Sequence, residues 1–293
     1  MITAQSDIGF LRRVIVKHVR DAFHDQSTIQ TQWSSLNYTA EPELDEAIRE
    51  YETFAKILEN NNCELVYQPT DDLTSLDSLY VRDSSIVTDA GVVLCNMGKP
   101  ARQPEPEVME AFYRQIGSKV LGRIEPPGKV EGGDVTWLTP KILAVGEGYR
   151  TNREGIEQLT ALLRKTVDEI VTVALPHFRG PSDVLHLMSL LSPVDEGLAV
   201  VYSPLLPVTF RNLLLELEFQ LLDVPQKEFD SMGSNVLSLG PGKCLVVEGS
   251  PITRRLLEKA GVEVICYKGD EISAKGRGGP TCLTRPLLRE LTS

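Results

Sequence analysis

One phrase recurs along the chain and limits what it can fold into. A short apolar segment carrying a polar residue leads through a tight turn with Gly, Asp or Pro into a second apolar segment, and a helix usually follows. Clear copies read LYVRDSSIVTDAGVVLCNM (79–97), VEGGDVTWLTPKILAVGEG (130–148), SDVLHLMSLLSPVDEGLAVVYSP (182–204) and MGSNVLSLGPGKCLVVEGS (232–250). A fifth begins at GGPTCLTRPLLRE (278–290), with the N-terminal RRVIVKHV as its completing strand. The polar landmarks Asp83, Asp134, His186, Asn235 and Cys282 are separated by 51, 52, 49 and 47 residues, by subtraction of their numbers, a repeat of roughly 50. Strand pairs joined by tight turns and followed by helices predict an α/β chain built from a ββαβ unit used five times. A ring of such units brings the first strand of each copy to a common centre, so residues far apart in sequence meet there. A doubly wound parallel sheet is the competing fold. It needs a glycine-rich phosphate turn, and the one candidate, GEGYRTN, lacks the third glycine. No linker or composition break interrupts the pattern, so residues 1–293 read as a single domain.

Charge narrows the partners. With 30 basic against 41 acidic residues the formal net charge is -11, which argues against nucleic acid or an anionic membrane as a partner. No apolar stretch reaches the roughly 18–20 residues that span a bilayer, and the N-terminus lacks the basic start and apolar core of a signal peptide. Five cysteines (63, 95, 244, 266 and 282) form no CxxC pair, so a disulfide framework and a structural zinc site are not expected. The chain reads as cytoplasmic. Its acidic surface permits a monomer or a homodimer.

Few residues carry chemistry. Cys282 follows a glycine-rich, basic approach, KGRGGPTC, where backbone and ligand can come close to the sulfur and cationic charge favours the thiolate. The competing reading is a small loop residue. His186 sits on a strand-like segment among apolar neighbours, where a histidine is either a core residue or, because the repeat places it level with Cys282, the base of a nucleophile–base pair. Glu131 and Asp134 flank a Gly-Gly kink. Either can orient the histidine or hold a cationic substrate, or the segment is a turn that uses Asp and Gly for backbone reasons. Asp77 and Asp83 add acidity at the first copy, with Arg82 beside Asp83 as its simplest partner. This set of acids, one imidazole and one thiol suits a cationic substrate attacked at carbon. The polar stretch HDQSTIQTQWSSLNYTAEPE, with Trp33, Leu36 and Tyr38, reads as a long loop, either a lid or a loop packing its own aromatics.

YVRDSSIV (80–87), EGGDV (131–135), GYRTNREG (148–155), LHLMS (185–189) and GGPTC (278–282) occur in this order. Together they resemble the guanidino-group-modifying superfamily, the five-bladed α/β propellers that include arginine deiminases, amidinotransferases and dimethylarginine dimethylaminohydrolases. The resemblance spans nearly the whole chain. It implies Cys282 as the nucleophile on the guanidinium carbon, His186 as general acid and then base, and Glu131 as the carboxylate completing that set. It implies Asp83 and Asp77 as contacts to the guanidinium side of the substrate, and Arg102 and Arg150 as the arginines that fix its carboxylate, a task suited to a bidentate guanidinium. It implies no metal or organic cofactor.

Two departures bear on specificity. Arginine deiminases share YVRD but carry an aspartate where this chain has Met188. Dimethylarginine hydrolases lack that aspartate but commonly carry a glutamate where this chain has Arg82. The resemblance therefore implies a cysteine-dependent hydrolase of a guanidino C–N bond, foremost in a methylated arginine, giving citrulline and an alkylamine. An arginine deiminase, or an amidinotransferase on another guanidino compound, is the alternative. A non-catalytic binder would have lost Cys282, His186 or Glu131, and all three are present.

Overall fold

A computed structural model describes residues 3–291, so positions 1–2 and 292–293 of the 1–293 span lie outside the described residues. The chain enters with β1 (Phe10–Lys17), the helix Leu44–Asn60 and β2 (Glu64–Gln68). Three units follow with one order: β3 (Ser85–Thr88), β4 (Gly91–Leu94), a helix over Glu105–Gln115 and β5 (Val120–Arg123); β6 (Val135–Thr139), β7 (Ile142–Glu147), a helix over Arg153–Leu163 and β8 (Glu169–Ala174); β9 (Leu191–Asp195), β10 (Leu198–Val201), a helix over Val208–Glu216 and β11 (Gln220–Asp223). The fourth adds β12 (Leu237–Gly240), β13 (Lys243–Val247), a helix over Pro251–Lys259 and β14 (Glu263–Tyr267). Finally β15 (Arg285–Glu290) pairs antiparallel with β1, which runs parallel to β2. The two ends of the chain thus share the fifth unit.

Among the described residues the result is five three-stranded sheets, each with an antiparallel pair and a parallel third strand. A parallel strand needs a crossover, which the helix of each unit supplies. Unit-leading strands touch across sheet boundaries, β15 to β3, β6 to β9 and β9 to β12, and β12 also touches the central strand β1. Strands β3, β4, β10 and β12 are buried at every residue, which explains their continuous apolar runs, whereas the outer strands β5 and β8 are half-buried or exposed everywhere but at Val173. The helices cover the rim. Asn152 caps Arg153–Leu163 by accepting the Gly155 N–H at 3.0 Å, and Ile156, Leu159 and Leu163 form its buried stripe.

One expectation on local structure is corrected. The stretch after His24 is not one loop, because Asp25 caps a helix over Gln26–Gln32 through the Thr28 N–H at 2.7 Å. After the helix Val208–Glu216, Glu218 takes a positive φ of 62° and turns the chain into β11. Among the described residues no helix is long and apolar enough to cross a membrane.

Candidate active site

The five landmarks gather where the unit-leading strands begin. Asp83 and Cys282 occupy turns before β3 and β15, Asp134 closes a 3-10 turn before β6, and Asn235 precedes β12. His186 is not on a strand, contrary to its apolar surroundings in sequence. It precedes a 3-10 turn over Leu187–Ser189. The reason lies in the backbone donors, which must be satisfied when buried. The Leu187 N–H donates to Asp134 Oδ1 at 3.0 Å and the Ser189 N–H to the His186 carbonyl at 2.9 Å, so no ladder is available to the segment.

A cleft of about 290 Å³ lies over these turns, lined by Asp77, Asp83, Arg102, Arg150, His186 and Cys282 among others. The seventh predicted residue, Glu131, lies beneath it. Its carboxylate, without exposure to solvent, meets His186 Nε2 at 2.7 Å. Asp134, the other acid of EGGDV, takes a backbone role: besides holding Leu187 it accepts the Thr151 hydroxyl at 2.7 Å. The Gly-Gly kink is a matter of space. A methyl on Gly133 would overlap the His186 ring and Asp83, and the Gly133 N–H donates to Asp83 Oδ1 at 2.8 Å.

Charge is arranged around the imidazole. Burial opposes protonation of His186, but Asp83, Asp134 and the hydrogen bond to Glu131 outweigh it and raise its pKa to about 9. Glu131 is held well below the usual carboxylate range: burial pushes it up, and the His186 hydrogen bond with the Arg150 and His186 charges overcomes this. His186 is therefore an imidazolium at neutral pH, with Nδ1 3.8 Å from Asp83 Oδ1. Cys282 behaves oppositely, since burial and then the Asp83 charge raise its thiol pKa. His186 and Cys282 are walls of one cleft, although no hydrogen bond joins them.

The arginines divide. Every nitrogen of Arg102 is engaged within the protein: Nε and Nη2 with Glu105 at 2.8 Å, Nη1 with Asp83, and Nη2 also with the Tyr80 carbonyl at 2.8 Å. Arg150 donates to Glu131 through Nη1 alone, at 3.2 Å. Arg82 does not pair with Asp83. It leaves the cleft and meets Asp7 at 2.9 Å. Leu36 lines the cleft, whereas Trp33 packs on the core behind it.

Two contributors escaped the sequence reading. Asn235 donates its amide N–H to the Cys282 sulfur at 3.6 Å and accepts the Thr281 N–H and hydroxyl at 3.1 and 2.9 Å. Its place as the fourth landmark was the available signal. Lys99 joins Asp77 at 2.6 Å and the Leu36 carbonyl at 2.7 Å, and only its closeness to Arg102 in KPARQPE hinted at it. Asp83, Glu131 and His186 have donor atoms within 4.8 Å of one another. A metal there would compete with Arg102 on Asp83 and with the proton of His186, so the trio fits a proton-carrying site better than a cation site.

A family profile described as arginine deiminase matches residues 70–220 and 203–289. An uncharacterized protein of Aeropyrum pernix is 30% identical over 217 residues, 73% of this chain and 74% of that one. The arginine deiminase of Listeria welshimeri is 27% identical over 74% of this chain and 63% of its own length, so the chain spans somewhat under two thirds of that enzyme. Among solved structures, a dimethylarginine dimethylaminohydrolase (DDAH) mutant from Pseudomonas aeruginosa complexed with citrulline superposes with a TM-score of 0.75 at 22% identity, over 94% of this chain and 98% of that one. SxtG, an amidinotransferase from Microseira wollei, superposes with a TM-score of 0.81 at 17% identity, over 99% and 98%. These likenesses establish a shared fold.

Proposed function

The chain belongs to the arginine deiminase family, within the guanidino-group-modifying superfamily whose enzymes act on guanidino C–N bonds, and from that premise we propose that it is a cysteine-dependent hydrolase of a methylated arginine. We read 1–293 as one catalytic domain. The observation that carries the proposal is the common cleft: a thiol and an imidazolium face a cavity with two aspartates, and a buried glutamate holds the imidazolium from behind.

In this reading the substrate guanidinium enters beside Asp83 and Asp77, and Arg150, with donors to spare, takes the amino-acid carboxylate. Arg102 acts by fixing Asp83. The incoming cation offsets the acidic field that holds the Cys282 thiol protonated, so the thiol gives its proton to solvent as the substrate docks. Sulfur then bonds to the guanidinium carbon, the carbon–nitrogen bond to the alkylamine breaks, and His186 gives the departing amine its proton. Neutral His186 next deprotonates water, whose oxygen adds to the carbon. Sulfur leaves, and citrulline and alkylamine are the products. The Asn235 N–H is placed to support negative charge on sulfur in both steps.

The test is product analysis with arginine, monomethylarginine and asymmetric dimethylarginine in parallel, with Cys282→Ser as the blank. Citrulline with methylamine or dimethylamine, absent from the blank, is the expected result. Ammonia from arginine alone would replace this reading with a deiminase, which Arg82 in YVRD favours. Turnover only on addition of an amine acceptor would replace it with amidino transfer.

A further inference from the structure

A second cavity, of about 390 Å³, meets the first at His186 and Cys282. The two differ in chemistry. The first alone holds Asp77, Asp83, Lys99, Arg102 and Arg150. The second alone is walled by Phe178, Leu185, Met188, Phe229 and Met232, while Arg179, Asp183, Val184 and Arg277 line both. This wall is fixed, because Phe229 stacks on Tyr202 at 3.9 Å between ring centres and Phe178 meets it edge-on at 5.8 Å. Two carboxylates also reach the second cavity, Asp183 and Asp230. Each is already paired, with Arg277 and, at 2.7 Å, with Arg179, so neither is left over for an ammonium group.

Asp83 and Asp77 lie on the first side only, whereas the groups that make and break bonds lie on both. A guanidinium held by Asp83 and Asp77 over the Cys282 sulfur therefore leaves the second cavity, across His186, as the side on which a substituent of its terminal nitrogen meets no unpaired carboxylate. Resting on the hydrolase reading above, we propose that the second cavity receives the substituent of the leaving amine, and that the preferred substrate is an arginine-like guanidine bearing, on its terminal nitrogen, an apolar group larger than methyl. The volume supports this. A cavity of this size approaches that of a complete small-molecule pocket, and a methyl or dimethyl group would leave most of its apolar wall unmatched. The reaction is otherwise the one above: the S–C bond forms, the C–N bond to the apolar amine breaks with a proton from His186, and water releases the ureido acid and restores the thiol.

The experiment compares kcat/KM for Nω-propyl-L-arginine and Nω-benzyl-L-arginine with that for Nω-methyl-L-arginine, reading amine and citrulline together. The expected result is at least about a tenfold advantage for a larger substituent, the scale on which a hydrophobic pocket discriminates by a methylene or two. Narrowing the second cavity with Leu185→Trp, a residue that lines it alone, is expected to collapse that ratio. Turnover of Nω-methyl-L-arginine with no advantage for the larger groups overturns this inference and leaves the hydrolase reading standing. No turnover of any of them, with no adduct on Cys282 by mass spectrometry, overturns both.

Discussion

His186 Nε2 lies 2.7 Å from a Glu131 oxygen that solvent does not reach. An imidazole titrates near 6.5 in an unfolded chain and at about 9 here. Protonation of His186 therefore contributes stability that is complete below pH 6.5 and is lost as pH rises through about 9. Glu131→Gln removes the charge behind the ring. The pKa of His186, followed by NMR, should fall, the alkaline loss of stability should become shallower, and kcat should drop about a hundredfold or more. An unshifted His186 titration would rule out this pairing as the source of its protonation.

Cys282 should be a reluctant nucleophile until substrate arrives. Burial and Asp83 hold its thiol pKa above the usual 9.0, so the iodoacetamide rate at Cys282 should still be climbing above that pH. A guanidinium ligand in the cleft should accelerate labelling at neutral pH. Cys63 and Cys244, each pushed up to about 12 by burial, should lag in both conditions. Removing the amide donor with Asn235→Ala should slow the liganded rate by roughly tenfold. A labelling rate that levels off below pH 7 would mean that the free enzyme already holds a thiolate.

Arg102 and Arg150 share a sequence-level role and should separate in experiment. Arg102 anchors both Asp83 and Glu105 below solvent, and breaking a buried ion pair costs about 3–5 kcal/mol. Arg102→Ala should lower the urea midpoint strongly and lose activity with it. Arg150→Ala removes donors that face the cleft, so the larger effect should be on KM, by about tenfold or more, with a smaller change in the urea midpoint. Equal losses of stability in the two variants would remove the distinction.

The architecture was legible because each ββαβ unit restates one hydrophobic pattern, and a period near 50 survives variation at single positions. The site was legible at Asp83, His186 and Cys282 as landmarks of that period, and at Glu131 through the resemblance, whereas the landmark Asn235 carried no sign of its contact with the sulfur. The partners of these residues were not. Asp83 meets Arg102, 19 residues away and on the far side of a strand pair, rather than its neighbour Arg82, because adjacent residues in a turn point in different directions. His186 looked like a strand residue because its neighbours are apolar. The Asp134 carboxylate that captures the Leu187 N–H comes from another unit, and no local pattern announces it. The second cavity combines segments from 178 to 189, from 229 to 235 and around Cys282, a union of separate units that no single stretch of sequence shows.

Arg82 provides the last case, because its position in YVRD invites a role in the cleft while its side chain runs the other way. Its guanidinium is 3% exposed and meets Asp7 Oδ1 at 2.9 Å, and Asp7 Oδ2 accepts the Trp137 N–H at 2.8 Å. Two further buried guanidiniums stand nearby: Arg285 donates to the Arg82 carbonyl and Arg289 to the Gly9 and Ser238 carbonyls. Burial lowers the pKa of both to about 10, and the Arg82 charge adds to this. Asp7 is the anion that makes this grouping tolerable. Asp7→Asn should therefore destabilise the protein by about 3–5 kcal/mol, because it leaves a buried guanidinium unpaired. Asp7→Asn combined with Arg82→Met should recover much of that loss, since the pair is then removed together. Urea unfolding of the single and double variants measures both quantities. If the double variant is as unstable as the sum of its singles, Asp7 and Arg82 are not coupled, and Arg82 returns to consideration as a residue of the cleft.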